Sequence, residues 1–217
     1  MNDRETTGGG SRLNRETTAS LVWRLDALLW LVVPGTIAGF LSDEALSTHW
    51  PDLALLGEIL GILCSVVYGL LLLSLARVNG GYRAAGVCTL FVAVAGIIIQ
   101  SLGGGDPRNV ERGIALILTL LAGVAALVGE YTECTSHAEA LEPVDLELSE
   151  KWRRLWKWYI GTYLGSVGSI VVVMIFGPLG LLVMLASIIG MMVVAILKLV
   201  YLWRTARTFR EYEEMEA

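Results

Sequence analysis

The chain has 217 residues, of which 55% are hydrophobic and 17% charged, and a mean hydropathy of +0.64, an excess of apolar surface that excludes an ordinary soluble domain and points to an all-α integral membrane protein. The net charge of -5 excludes nucleic acid as a partner, because phosphate binding needs a basic surface and here 21 acids face 16 bases. The three cysteines, Cys64, Cys88 and Cys134, imply no disulfide framework; the first two lie in apolar runs and read as small packing residues.

Residues 1–20 are polar, carry Arg-Glu-Thr-Thr twice (4–7 and 15–18) and have no apolar period, which predicts a disordered cytoplasmic tail. They lack the short apolar core and cleavage site of a signal peptide, so the first apolar run is expected to stay as an anchor. Apolar blocks follow at 21–42, 53–76, 84–102, 113–132 and 158–203. The last is too long for one span. Tyr159 to Leu197 is 39 residues without a charge, roughly 58 Å as a single helix against a hydrocarbon core of about 30 Å. Gly177-Pro178 near its middle supplies the break, since Pro lacks the amide donor and biases its predecessor away from helix. The expected fold is a six-transmembrane-helix bundle over 21–205, with spans at 21–42, 53–76, 84–102, 113–132, 158–176 and 179–203 and a short charged cytoplasmic tail at 206–217.

Fourteen of the 16 cations fall on one side of that layout and only Arg108 and Arg112 on the other. The positive-inside rule then puts both termini in the cytoplasm and predicts a multi-pass protein of the cell (inner) membrane, with 41–52 as an acidic outer loop. The run KWRRLWKWYIG at 151–161 fits an inner boundary. Trp152, Leu155, Trp156 and Tyr159 share one helix face while Arg153, Arg154 and Lys157 point elsewhere. Trp152, Trp156, Arg153 and Lys157 are therefore expected as interfacial anchors.

Small residues recur every fourth position on the second span as Gly57, Gly61, Ser65 and Gly69, and again as Ala85, Thr89, Ala93 and as Gly161, Gly165, Ser169. Such ridges let helices approach closely, within one bundle or between a membrane-protein partner or second copy and this chain. The lipid bilayer is the one partner that composition demands.

Ionisable side chains in apolar spans are functional candidates because burying them is costly. Asp26, Glu130, Lys198 and Arg77 gather at one depth near the inner boundary, where an acid is expected to pair with Lys198. Glu58 stands apart near the outer side, on the same face as Gly61, Ser65 and Gly69. With Thr36, Gln100, Arg112 and Trp50 at comparable depth it outlines a candidate ligand pocket.

Residues 133–139, Glu-Cys-Thr-Ser-His-Ala-Glu, hold a lone Cys-x-x-His, too few ligands for a zinc shell, so a solvated loop and no metal are expected. Neither a Walker A loop, a dinucleotide fingerprint nor an H-E-x-x-H occurs, and no cofactor or catalytic residue is assigned. In size and topology alone the layout is similar to the vitamin-binding subunits of energy-coupling-factor transporters; no motif of that family is found. Two readings result. The first is a non-enzymatic accessory or interaction subunit acting through helix contacts. The alternative is a small-solute carrier or substrate-binding transport subunit with an outward-facing pocket around Glu58.

Overall fold

The computed structural model describes residues 15–42, 49–103 and 109–215. Among them the chain is helical throughout, in six long elements: α1 (Arg15–Leu41), α2 (Pro51–Leu75), α3 (Gly81–Gly103), α4 (Asn109–Leu141), α5 (Leu146–Phe176) and α6 (Pro178–Met215). Five of them, α1 to α4 and α6, are long and apolar enough to cross a membrane, so this is a multi-pass membrane protein in contact with a lipid bilayer. The sixth segment, 158–176, is helical as well and forms the apolar part of α5 behind a charged first third.

The helix boundaries have local causes. Pro51 and Asp52 open α2, where the missing amide of Pro costs nothing and a carboxylate meets the positive helix end. Asp145 caps α5 by accepting a 2.9 Å hydrogen bond from the Leu148 amide. Gly177 ends α5 at φ 53°, a conformation that disfavours any side chain, and Pro178 starts α6 one residue later.

Three boundaries differ from the sequence expectation. The predicted tail at 1–20 is helical from Arg15 onward, and 1–14 lie outside the described residues. The tail at 206–217 instead continues α6 to Met215, because Ala206 and Phe209 are buried in the core. The loop expected at 133–139 is the last part of α4, with Glu133, Cys134, Ser136, His137 and Ala138 all buried. Part of the expected outer loop, 43–48, lies outside the described residues.

Each helix packs on its chain neighbours and α6 returns to α1, so the six form a closed ring. One half of the ring is filled. Leu21, Leu25 and Leu28 of α1 meet Leu72 and Leu75 of α2, Tyr82 of α3, Leu141 of α4, Trp152 of α5 and Leu202 of α6 in one apolar cluster. That end holds the start of α1 and the last turns of α6. The outward faces carry exposed apolar side chains such as Trp30, Phe40, Leu63, Leu120 and Ile196, which suits lipid rather than water.

The small-residue ridge of α2 faces inward. A Cβ on Gly57 would lie 2.6 Å from the Leu41 Cβ and 2.7 Å from the Ser42 amide, and one on Gly69 would lie 2.8 Å from Leu90, so these glycines seat α2 against α1 and α3.

Candidate functional site

At the level where the filled half ends, alternate helices send polar side chains to the centre of the ring. Tyr68 comes from α2, Glu130 and Glu133 from α4, and Lys198 from α6. Lys198 Nζ lies 2.8 and 2.9 Å from the two Glu130 oxygens and 3.1 Å from Glu133 Oε1. The Tyr68 hydroxyl donates to the same Glu133 oxygen at 2.5 Å, and the Lys198 ammonium stands 5.8 Å from the centre of its ring. The Glu133 side chain is 4% exposed and those of Glu130 and Lys198 16% and 19%. Buried charges of this kind persist because each is paired and hydrogen-bonded.

Below this hub the polar chain runs into the filled half. His137 Nε2 lies 3.8 Å from Glu133 Oε1 and has no hydrogen-bond partner among the described residues, while Nδ1 is 2.8 Å from the Tyr82 hydroxyl. The imidazole stacks on Trp152 with ring centres 4.5 Å apart, and Trp152 Nε1 donates to Thr205 Oγ1 at 3.0 Å.

On the other side of the hub lies a cavity of about 740 Å³. Its walls come from α1 to α4, with Glu58, Thr36 and Gln100 among the lining residues, and Tyr159, Lys198, Glu130 and Glu133 close one end. Glu58 is half-buried and has no ion-pair partner among the described residues. The volume lies within the usual range for small-molecule sites, roughly 300–1,000 Å³.

Several predicted site residues lie elsewhere. Arg112 and Trp50 are exposed and do not line the cavity, because the ends of α4 and α2 that carry them lie beyond it. Asp26 is paired with Arg210 at 2.5 Å rather than with Lys198, since the longer α6 brings Arg210 back along α1. Arg77 is exposed and outside the hub. Of the four expected anchors, Trp152 is fully buried in the core instead, held by His137 and Thr205. Trp156 is half-buried against Tyr131, Arg153 pairs with Glu142 at 2.8 Å, and Lys157 is exposed. The exposed tryptophans nearby are Trp158 and Trp203.

Sequence reasoning missed Tyr68, Glu133, His137 and Tyr82. A signal for α4 existed, because Glu130, Cys134, His137, Ala138 and Leu141 continue the helical period past 132. No known protein family, curated protein or solved structure matches the chain.

Proposed function

We propose that this protein is a non-enzymatic six-span membrane protein, with both termini cytoplasmic, that binds a small solute in its central cavity as a carrier or as the substrate-binding subunit of a transporter. The observation that carries the reading is the cavity itself: about 740 Å³ of space, closed at one end by a satisfied charge hub and bearing on its wall the carboxylate of Glu58, which has no ion-pair partner among the described residues. Packed membrane bundles gain their stability from close helix contact, so a hollow of this size forgoes packing that small changes in side-chain volume would recover. An unpaired carboxylate in such a hollow adds a further cost that ligand binding offsets.

The inner-membrane orientation rests on the cation count. With 14 of 16 cations on the cytoplasmic side, the cavity end of the ring faces away from the cytoplasm. The accessory-subunit reading draws on small-residue helix faces. It has less support, because Gly57 and Gly69 serve internal contacts while Gly61 and Ser65 line the cavity.

The test is access. In a background with Cys64, Cys88 and Cys134 replaced by alanine, a cysteine at Gly96 on the cavity wall is expected to react with a membrane-impermeant maleimide added to intact cells, whereas one at the buried Ala85 is not. If Gly96→Cys stays unmodified from both sides of the membrane, the cavity is sealed and the accessory reading replaces this one.

A further inference from the structure

We infer that the solute is an organic ammonium ion, bound with its cationic head at Glu58 and its apolar body toward Tyr68; the inference rests on the cavity-binding reading above. The first argument is formal charge. Three carboxylates, Glu58, Glu130 and Glu133, line the cavity against one ammonium, Lys198, which leaves -2. In a site of low dielectric a monocation is favoured and an anion is opposed.

The second argument is the distribution of donors. A lysine ammonium has three N–H groups, and those of Lys198 are matched by contacts of 2.8, 2.9 and 3.1 Å to Glu130 and Glu133. Among the described lining residues no cationic donor is left for an anionic ligand. The hydroxyls of Thr36, Ser42 and Thr89 donate to carbonyls of their own helices at 2.8, 3.2 and 2.9 Å, and that of Tyr68 to Glu133. Each therefore presents only lone pairs to the cavity, and the remaining polar wall groups, the Ser65 hydroxyl and the Gln100 amide, are neutral and can accept as well as donate. Glu58 is an acceptor without an ion-pair partner among the described residues. A ligand rich in N–H donors complements such walls, and an ammonium supplies three.

The third argument separates an organic cation from a metal ion. Among the described residues no group of three or more His, Cys, Asp or Glu side chains is placed to hold a metal. The walls between the carboxylates are apolar, with Leu31, Ile62 and Val92 and the ring of Tyr159. A hydrated ion would leave those surfaces unsatisfied, whereas a hydrocarbon body covers them. Glu58 and Tyr68 are ten residues apart on α2, about 15 Å along the helix, enough for a head group and a ring or short chain.

The experiment measures binding of three probes of similar shape to the purified full chain in detergent: phenethylammonium, phenethyl alcohol and 3-phenylpropionate. Phenethylammonium is expected to bind saturably and at least about tenfold more tightly than the other two, the value of one charge-assisted contact. Glu58→Gln should weaken it by about tenfold and erase the preference over the alcohol, and Glu58→Asp should restore part of it. The alcohol binding as tightly as the ammonium, or the carboxylate binding best, would overturn the ammonium assignment while leaving the cavity reading standing. Equal binding by wild type and a folded Glu58→Gln would do the same. If Glu58→Gln does not fold, the preference among the three probes on the wild type and the Glu58→Asp affinity decide the matter. Absence of saturable binding by all three overturns the ammonium assignment, and the thiol-access experiment then reports separately whether the cavity is open.

Discussion

Lys198 on α6 and Glu130 on α4 are joined by two contacts of 2.8 and 2.9 Å, although α4 and α6 are not neighbours in the ring. Tyr68 on α2 reaches Glu133 on α4 in the same way, past α3. Three alternate helices are thus tied together at the centre, and Lys198 is the only cation in the knot among the described residues. Its removal leaves two carboxylates facing each other with little water. Lys198→Met is expected to destabilise the protein by about 3 kcal/mol, the usual cost of stranding one half of a buried ion pair. Adding Glu130→Gln should recover part of that loss, because one stranded charge disappears with it. Thermal melting in detergent checks both. Strictly additive losses would mean that the pair is not energetically coupled.

The tryptophans make opposite predictions according to where they sit. Trp152 is fully buried, stacks on His137 and donates to Thr205, while Trp158, six residues on, is 61% exposed. Trp152→Ala should cost about 3–5 kcal/mol, as truncation of a buried aromatic does. Trp158→Ala should change stability by less than about 0.5 kcal/mol. Comparable melting of the two variants would place Trp152 at the headgroup boundary after all.

The contrast between those two residues also shows what the sequence could carry. The helical period grouped Trp152, Leu155, Trp156 and Tyr159 correctly on one face, and three of the cations between them, Arg153, Arg154 and Lys157, are exposed. Periodicity gives a face but not its neighbour. Whether that face met headgroups or protein depended on α4 running to Leu141 and α6 to Met215, which supplied the wall that Trp152 packs on. Charged residues beyond 132 and 205 read as span ends, and they lie in continued helix instead. The break at Gly177-Pro178 was legible because two residues with strong local preferences act alone there. Lys198 was legible as a charge that needed a partner, but the choice between Asp26 and Glu130 required the ring order. Glu133 and Tyr68 were hidden for the same reason, since a closed ring brings alternate helices together and no sequence spacing encodes that.

Orientation is open to a direct measurement. With 14 cations on one side of the proposed membrane plane and two on the other, a reporter active only outside the cytoplasm should be silent when fused after Ala217 and active when inserted in the 102–108 segment. The inverse pattern would reverse the orientation and turn the cavity toward the cytoplasm. Activity at both positions would require an even number of spans between them.

Two glycines of α3 provide the sharpest test of the hollow, because they are chemically identical and structurally opposite. A Cβ on Gly86 would lie 2.8 Å from the Gly69 carbonyl oxygen and 2.9 Å from the Leu73 amide, where backbone cannot yield. A Cβ on Gly96, ten residues along the same helix, meets nothing within 4 Å and enters the cavity. Gly86→Ala should therefore destabilise the protein by about 1–3 kcal/mol through overpacking. Gly96→Leu should be neutral or stabilising by up to about 1 kcal/mol, since it replaces the weaker helix former and gains contacts with the cavity wall. Gly96→Trp should also fold, and its indole should occupy the space between Glu58 and Tyr68. Melting curves of the three variants, read beside the binding of phenethylammonium to each folded one, distinguish the cases. A hollow that is filled without loss of the fold, and with loss of binding, marks the cavity as the site. If Gly96→Leu melts as early as Gly86→Ala, the space is not there. Should Gly96→Trp fold and still bind the ammonium as wild type does, the probe binds somewhere other than the cavity.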